Sequence, residues 1–368
     1  MALMGRSLRG RFSGVVRYTF ELVQALEPRL GSALTVFLTR APDGLDGLGV
    51  SVMRAPFPTP NEYARALWEQ SVVPLQVARL RPDVYHSPNY ILPLALNRPS
   101  VVTIHDLAYL DRSIHRLRSH LYISRLGALA VRKATRVICV SAYTRDQLLR
   151  IYPAAEAKVR VVGEGIDERF HPAGPDEVEA VRRRHGLERP YLLFVGTVEP
   201  RKNLARLIQA FGHAVRRSGL PHELVLAGGR GWKDAAIYDA WGASAVKDRI
   251  RFLGYVADGD LPPLYSGAEV LCYPSLEEGF GLPPLEAMAC GTPVLTSDRS
   301  ALPEVTGEAA LLVDPLDEEA IACGLERLGT SGGLRSDLAR RGLERAARFR
   351  WDRVATETLA VYTEAAGA

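Results

Sequence analysis

Short apolar runs rich in β-branched residues alternate along the chain with longer segments that have a helical pattern. In GVVRYTFELVQAL and YTRDQLLRIY, apolar residues recur every three to four positions, which is typical of amphipathic helices. Alternating strands and helices predict a parallel sheet with helices on both faces. The apolar runs of the first half lie at 33–38, 50–55, 83–87, 100–106, 136–141 and 159–165.

The same alternation restarts after a polar segment, GIDERFHPAGPDE at 165–177, which carries glycine and proline and is typical of a linker. We therefore predict an α/β protein with two Rossmann-like domains, residues 1–168 and 169–350, and a final helix in 351–368. The chain length of 368 residues suits two domains of roughly 150 residues each. The apolar runs of the second half lie at 191–197, 223–229, 250–256, 268–275, 292–298 and 309–315.

Composition narrows the class of protein. Hydrophobic residues make up 47% of the chain and charged residues 24%, no run of about 18 apolar residues is present, and the start lacks a signal-peptide pattern. We expect a soluble cytoplasmic protein. The net charge of +4 comes without a recognition motif and does not indicate a nucleic-acid partner. The four cysteines lack CxxC spacing, which predicts reduced thiols and neither zinc nor disulfides.

The segment SLEEGFGLPPLEAMACG at 275–291 follows a predicted strand and carries Glu278 and Glu286. Its glycines predict a loop and its paired prolines predict the start of a helix. Loop amides and the positive end of a helix form a pocket suited to phosphate. Glu286 could instead only complement the helix dipole, which is worth about 0.3–1 kcal/mol. Because a carboxylate repels phosphate, we expect sugar hydroxyl groups to hold Glu278.

Arg201 and Lys202 follow the first predicted strand of the second half, in FVGTVEPRKN at 194–203. Cations at the start of a helix oppose its dipole, so their position favours an anionic ligand nearby. The alternative is a solvated pair of charges with no ligand.

These segments, together with LAGGRGW, FLGYV and LPEV, resemble the retaining GT-B glycosyltransferases of family 4, over nearly the whole chain. The resemblance implies two Rossmann-like domains facing across a cleft, with the C-terminal helix crossing back to the first domain. It also implies a nucleotide-diphosphate sugar as donor, held mainly by the second domain, with no cofactor and no required metal.

The resemblance assigns a role to each matching residue. Glu286 would bind the ribose hydroxyls and Glu278 the donor sugar, while Arg201 and Lys202 neutralise the leaving diphosphate. Relatives often have arginine where this chain has Thr197, and Arg201 is the candidate substitute. The other donor-binding candidates, at or near a predicted glycine turn, are Gly14, Gly196, Thr197, Gly279, Phe280, Gly281 and Leu282.

In the first half, GRFSG at 10–14 matches the family's glycine loop, in which Gly14 would let the backbone approach the donor phosphate. His105 is a further catalytic candidate because it ends the strand VVTI, although a structural histidine is an equal alternative. Acceptor candidates at this predicted edge are Asp106, His86 and Asn89.

Two other features have structural alternatives. Asp258 and Asp260 mimic the DxD metal site of another glycosyltransferase fold, but the prolines after Asp260 predict a helix cap. Residues 112–136 are basic and carry no acid, which is typical either of a solvated helix or of a surface for an anionic acceptor or for lipid headgroups at the inner membrane face.

The resemblance thus predicts retaining transfer of a hexosyl group, mannose before glucose, to a hydroxyl of a saccharide or lipid-linked glycan. Two alternatives remain open from the sequence. One is a nucleotide-sugar epimerase of the same fold, and the other is a non-catalytic protein that binds a sugar nucleotide or a partner.

Overall fold

The computed structural model describes residues 1–5, 8, 14–39, 45, 47–59, 61–107 and 117–368. The chain forms two compact units. Unit 1 comprises Met1–Gly165 and Arg350–Ala368, and unit 2 comprises Ile166–Phe349. The first boundary between the two units therefore falls at the start of the polar segment 165–177.

In the described part of unit 1, parallel strands form one sheet in the order β3-β2-β1-β4-β5-β6-β7. The strands are β1 Ala2–Met4, β2 Thr35–Leu38, β3 Ser51–Arg54, β4 Tyr85–Ser87, β5 Ser100–Ile104, β6 Arg136–Cys139 and β7 Val159–Val161. The helices are α1 Gly14–Leu30, α2 Glu62–Leu67, α3 Val73–Leu80, α4 Leu117–Lys133 and α5 Ala142–Ile151, with a π-helical turn Trp68–Val72 between α2 and α3.

Unit 2 is described throughout and repeats this architecture, with parallel strands in the order β10-β9-β8-β11-β12-β13. The strands are β8 Tyr191–Val195, β9 Glu223–Ala227, β10 Ile250–Gly254, β11 Val270–Tyr273, β12 Val294–Ser297 and β13 Ala310–Val313. The helices are α6 Pro175–His185, α7 Leu204–Ser218, α8 Ala235–Ala243, α9 Leu261–Ser266, α10 Leu282–Ala289, α11 Leu302–Thr306, α12 Glu318–Thr330 and α13 Gly332–Ala346.

The final helix, α14 Trp351–Ala366, packs on unit 1, where it contacts α1, β5 and β6. The prediction that the C-terminal helix returns to the first domain is confirmed. Its buried face includes Val354, Thr358, Val361 and Tyr362. Leu359 is only half-buried because Thr358 takes the inward position.

Each predicted apolar run contains a strand, and strand β1 alone among the described strands was missed. It is short, and its residues Ala2, Leu3 and Met4 include no β-branched side chain. The strand exists because all three residues are fully buried between β2 and β4, so tertiary packing outweighs a weak local preference. The central strands of both sheets are buried on both faces, as expected for parallel sheets covered by helices.

Cys139, Cys272 and Cys290 are buried, Cys323 is exposed, and all four are free. Among the described residues, no helix has the length and apolar character needed to cross a bilayer.

Candidate active site

The order of the strands places the candidate residues of unit 2. Strand β8 lies between β9 and β11: the chain continues from β8 to β9 and β10 on one side of the sheet and then crosses over to β11 on the other side. In open α/β sheets ligands bind at such a switch point, beyond the carboxyl ends of the strands. The loops that follow β8 and β11 are held together there, since the Leu276 amide donates to the Arg201 carbonyl over 2.9 Å.

Lys202 and Glu278, from these two loops, form a buried ion pair. The Lys202 Nζ lies 2.6 Å from Glu278 Oε1, and both residues are only 7% exposed. Tyr273, the last residue of β11, lies beside both, with its hydroxyl 2.6 Å from the lysine nitrogen and 3.0 Å from the same carboxylate oxygen. The Ser275 hydroxyl donates a further hydrogen bond of 2.5 Å to Glu278. The pair therefore has a fixed geometry.

Arg201 lies between two carboxylates. Its Nη1 donates to Glu278 Oε2 over 2.9 Å, and its Nε and Nη2 donate to Glu199 Oε1 over 3.2 and 3.0 Å. Glu199 is fixed in turn by the Trp232 indole, which donates to its other oxygen over 3.1 Å. Two cations and two carboxylates thus form one cluster with no formal net charge.

The neighbouring charges keep the buried Glu278 carboxylate ionised. Burial would raise the pKa of Glu278, but the charges of Lys202 and Arg201 and the hydrogen bonds to the carboxylate outweigh it and lower that pKa to about 2. Burial lowers the pKa of Lys202 below its ordinary value, and the Glu278 carboxylate limits the fall. Glu278 is consequently the counter-charge of Lys202.

This arrangement corrects one expectation. Sugar hydroxyl groups were expected to be what holds Glu278 near a phosphate pocket. The side chains of Lys202, Arg201, Tyr273 and Ser275 hold it instead. The expected contact of Glu278 with the donor sugar stays a prediction.

The loop after β11 leads directly into α10. Gly281 precedes the helix with φ 110°, a left-handed conformation that favours glycine, and a Cβ there would lie 2.7 Å from Leu302 Cδ2. Pro283 and Pro284 then occupy the first turn, as predicted, and have no N–H group. Amides at the start of this helix must therefore come from Phe280, Gly281 and Leu282, the residues that the resemblance assigns to the donor.

Glu286 lies one turn into α10 and is 3% exposed. Its Oε2 accepts a hydrogen bond of 2.8 Å from the Tyr265 hydroxyl, contributed by α9. Tyr265 packs edge-on against Phe170, with ring centroids 6.0 Å apart. A carboxylate buried this deeply does more than complement the dipole of a surface helix.

Gly279, in the loop between β11 and α10, is also buried.

The turn after β8 brings two backbones into contact. A Cβ at Gly228, after β9, would lie 1.8 Å from the Gly196 carbonyl oxygen, so no side chain is tolerated there. Thr197, which follows Gly196, is exposed. The Arg201 side chain lies in the cluster with Glu278. That Arg201 takes the role of the arginine that relatives have in place of Thr197 stays a prediction.

In unit 1, His105 directly follows β5 and forms a buried pair with Glu164. His105 Nδ1 lies 3.1 Å from Glu164 Oε1, and Nε2 lies 3.1 Å from the Pro88 carbonyl oxygen. The Tyr18 ring packs edge-on against the imidazole, with centroids 4.6 Å apart. Burial alone would lower the pKa of His105, but the hydrogen bond and charge of Glu164 outweigh it, so the pKa is raised.

His86 was an acceptor candidate, and the structure contradicts this role. It is 0% exposed, and its ring nitrogens are occupied by the Tyr362 hydroxyl at 2.7 Å and by Thr103 Oγ1 at 2.8 Å. Burial lowers the pKa of His86 to about 3, with a smaller effect of His105 in the same direction. His86 is a neutral core residue that joins α14 to the sheet.

The remaining acceptor candidates are partly accessible. Asp106 is half-buried next to His105. Asn89 is also half-buried, and its Oδ1 accepts hydrogen bonds from the Ile91 amide at 2.9 Å and from the Ser87 hydroxyl at 3.2 Å. Asn89 therefore shapes its own loop.

Two predictions fall wholly or partly on residues that the structure does not describe. Residues 10–13 of the glycine loop lie outside the described residues, and Gly14 is the exposed first residue of α1. Of the basic stretch, residues 112–116 lie outside them as well.

The structure corrects the prediction for Asp260. It precedes α9, but its side chain makes no capping hydrogen bond. Instead the carboxylate forms an ion pair with Arg184, and its other oxygen lies 3.1 Å from His185 Nε2. Neighbouring Asp258 faces Arg169, with 4.0 Å between the charged atoms. The helix cap was the wrong interpretation because Arg184 and His185 belong to α6, which is distant in sequence.

Comparison with known proteins decides the family. A family model described as "Glycosyl transferases group 1" matches residues 177–345, and one described as "Glycosyltransferase Family 4" matches residues 12–170. The O-antigen chain mannosyltransferase B of Escherichia coli is 34% identical over 281 residues, which are 76% of this chain and 74% of that protein. The chain belongs to the group 1 glycosyltransferases.

Other similarities agree with this family. A D-inositol 3-phosphate glycosyltransferase of Salinispora arenicola is 36% identical over 253 residues, 65% of this chain but only 56% of that protein. Among solved structures, the HepE protein of Anabaena in complex with UDP and glucose matches with a TM-score of 0.78, 18% identity and 99% coverage of both chains. At that identity the match shows the fold alone, which is GT-B.

Several residues of this candidate site were not found from the sequence. Tyr273 and Ser275 were assigned only to the strand and its end, and Glu199, Trp232 and Tyr265 were given no role. Trp232 and Tyr265 act on partners distant in the chain, which a local pattern does not reveal. Tyr273 and Ser275 lie close to Glu278 in the sequence, but the strand pattern does not show that their hydroxyl groups face its carboxylate. The placement of Glu199 two residues before Arg201 was the available indication.

Proposed function

We propose that the protein is a retaining hexosyltransferase that moves a sugar, mannose before glucose, from a nucleotide-diphosphate donor to a hydroxyl group of a saccharide or lipid-linked glycan. The observation that carries the proposal is the cluster of Arg201, Lys202 and Glu278 at the switch point of the unit 2 sheet. It adjoins the loop that leads into α10.

The cluster suits a leaving diphosphate. Its cations are balanced in the resting protein, so no unpaired charge is buried. As the bond from the sugar to the diphosphate breaks, negative charge grows on the phosphate oxygens. Fixed cations and amides that meet this growing charge lower the barrier without reorganisation. Lys202 is the central group because Tyr273 and Glu278 fix its ammonium.

Glu286 is assigned to the ribose of the donor. A buried carboxylate can accept hydrogen bonds from two vicinal hydroxyl groups, and the Tyr265 hydroxyl already orients this carboxylate. This contact is far from the breaking bond, so it contributes to binding more than to the chemical step.

The donor sugar is argued from the relatives. The Escherichia coli relative is named as a mannosyltransferase, and a second one at 26% identity is named as a serotype-specific mannosyltransferase. Mannose therefore leads, and glucose follows because the HepE complex contains UDP and glucose. The O-antigen chain in the name of the first relative supports a glycan acceptor.

A screen of nucleotide sugars tests the proposal. A ligand at 100 times its Kd stabilises a fold by about 2.7 kcal/mol, so GDP-mannose or UDP-glucose should raise the Tm clearly. The donor that binds is then incubated with glycan acceptors, and the anomeric configuration of the product is read by NMR. Retention supports the proposal, whereas an inverted product or the absence of both binding and transfer overturns it.

The same assay separates the alternatives. An epimerase converts the donor sugar with no acceptor present, because it needs only an acid and a base on one substrate. A binding protein shows the shift in Tm without turnover. Neither alternative has a specific observation in its favour.

We further propose that transfer needs no metal and that Arg201 and Lys202 take the place of a cation at the diphosphate. Activity should persist in excess EDTA. Loss of activity in EDTA that manganese or magnesium restores would contradict this assignment.

For a lipid-linked acceptor, we propose that the protein works at the cytoplasmic membrane face through the basic residues of 112–136. Sedimentation with vesicles containing anionic lipid, but not with neutral vesicles, is the expected result. Failure to sediment with either would leave only the free saccharide as acceptor.

A further inference from the structure

Two histidines near the carboxyl ends of neighbouring strands have opposite kinds of partner. The nitrogens of His86 face two hydroxyl groups, which can donate or accept a hydrogen bond. The nitrogens of His105 face a carboxylate oxygen of Glu164 and the carbonyl oxygen of Pro88, which only accept. Hydroxyl groups adapt to a neutral imidazole, but two acceptors do not.

The partners fix the number of protons on the His105 ring. The Pro88 carbonyl requires a proton on Nε2. If the ring were neutral, the lone pair of Nδ1 would then point at the Glu164 carboxylate over 3.1 Å, which is repulsive. A second proton must therefore lie between Nδ1 and Glu164. It belongs to the ring, because an imidazole has an ordinary pKa of about 6.5 and a glutamate one of about 4.3.

The surroundings keep the ring in this orientation. Glu164 is 5% exposed, and the His105 side chain is 15% exposed, so water competes little for the contact. The Thr144 hydroxyl donates to the His105 carbonyl over 3.4 Å. Tyr18 covers one side of the ring.

We propose that Glu164 is a positioning residue that keeps His105 doubly protonated at neutral pH, so that His105 serves as a fixed positive charge and does not act as a base. The inference rests on the proposed transfer reaction for its functional meaning. A doubly protonated imidazole has no nitrogen lone pair, so His105 does not accept the proton of the acceptor hydroxyl.

The proton then goes to the departing diphosphate. The acceptor oxygen forms a bond to the anomeric carbon, the bond from that carbon to the phosphate oxygen breaks, and the hydroxyl proton ends on a diphosphate oxygen. Every atom in this step comes from the two substrates.

The charges around His105 are consistent with a cation. Among the described residues, Glu164 and Asp106 are the acids that act on it, and both favour the protonated ring. His86 is held neutral by its burial. Burial also raises the pKa of Tyr18, so this phenol adds no charge, and Thr144 carries none.

The protonation state is measured directly by NMR of the ring nitrogens. In the wild-type protein at pH 7.5, both nitrogens of His105 should have the shifts of an imidazolium, while His86 should be neutral. A His105→Gln variant assigns the signal. A neutral His105 at pH 7.5 would overturn the proposal, and this test requires neither a substrate nor a folded variant of Glu164.

Glu164→Gln tests the role of the carboxylate. The glutamine amide can donate to Nδ1, so the contact is kept while the ring becomes neutral at pH 7.5. The matched control is Glu156→Gln, which removes an exposed carboxylate from the same unit. If His105 stays an imidazolium in Glu164→Gln, Glu164 does not hold the proton and the proposal fails.

A pH profile connects this state to activity. Wild-type kcat/KM should be level through the region near pH 6.5, and Glu164→Gln should lose activity as the pH rises through it, by about tenfold per unit. Glu156→Gln should follow the wild type. If transfer is absent from the wild type, the proposed function fails, and the NMR result still decides the state of His105.

Discussion

The carboxyl ends of the two sheets contain buried polar clusters of different electrical character. In unit 2, four full charges compensate one another around Lys202 and Glu278. In unit 1, His86 forms a neutral network with Tyr362 and Thr103, and His105 with Glu164 is the one ion pair among these groups. The two sheets share the order of their first six strands, so the strand order decides where each cluster lies and the loop residues decide its charge.

The difference has a structural origin. In unit 2, Arg201 and Lys202 precede α7, where the helix dipole opposes cations, and the Glu278 carboxylate compensates them. In unit 1, α14 packs on the sheet and contributes the Tyr362 hydroxyl, which forms its hydrogen bond with the neutral imidazole of His86. A charged cluster is therefore kept on the unit that is assigned to the anionic donor.

Breaking the charged cluster should have the largest effect on stability. Glu278→Ala leaves the buried Lys202 ammonium without its main partner, and such a loss costs about 3–5 kcal/mol. Urea unfolding followed by hydrogen exchange in β8 and β11 measures it. The exposed neighbour variant Glu277→Ala is the control. Equal stability of the two variants would mean that the cluster is not a stabilising unit.

Breaking the neutral network should cost less. Tyr362→Phe leaves a ring nitrogen of His86 unsatisfied in the core, which costs about 1–3 kcal/mol. Hydrogen exchange in β4 and β5 reports this change, and exposed Tyr255→Phe is the matched control. A loss as large as that of Glu278→Ala would remove the distinction between the two clusters.

Acid should act on unit 1 before unit 2. The pKa of His86 is lowered to about 3, so below its ordinary value of about 6.5 the unfolded chain binds a proton that the folded chain does not. Stability then falls as the pH falls, by up to about 1.4 kcal/mol per pH unit.

The pKa of Glu278 is lowered to about 2, so its contribution is present above about 4.5 and is lost only between about 4.5 and 2. Hydrogen exchange at pH 5.5 should show loosening in β4 and none in β11. His86→Gln should reduce the dependence of stability on pH. The control His171→Gln, at an exposed histidine, should leave it unchanged. Simultaneous loosening of both sheets would contradict this order.

The smallest expected effect concerns a positioning hydroxyl. Tyr265→Phe removes the hydrogen bond to Glu286 without creating a large void, so KM for the donor should rise a few-fold while kcat stays nearly unchanged. Steady-state kinetics measure the split. A fall in kcat with unchanged KM would place Glu286 near the breaking bond and not at the ribose.

Strand positions were predictable from the sequence because apolar runs of a parallel sheet are continuous and the turns carry glycine or proline. Strand β1 was missed because Ala2–Met4 owes its conformation to neighbours far along the chain. The residues Arg201, Lys202 and Glu278 were found because they follow strands. The sequence did not reveal that Glu278 neutralises Lys202, because the two residues belong to loops that are separated by many residues.

The histidines show the same limit. The sequence offered both His86 and His105 as site residues, although His86 lies within β4 and His105 directly follows β5. Burial and partners separate them: α14 supplies Tyr362 to His86, and the end of β7 leads to Glu164 beside His105. Neither partner is visible in the local pattern around a histidine.

The central claim is that Lys202 stabilises charge on the leaving diphosphate while Glu286 only binds the donor. The most direct test compares Lys202→Met with Glu286→Gln, with the donor titrated at saturating acceptor and exposed Lys247→Met as control. The account predicts that Lys202→Met lowers kcat by on the order of a hundredfold and that Glu286→Gln chiefly raises KM. A folded Lys202→Met variant with the turnover of the wild type would contradict it.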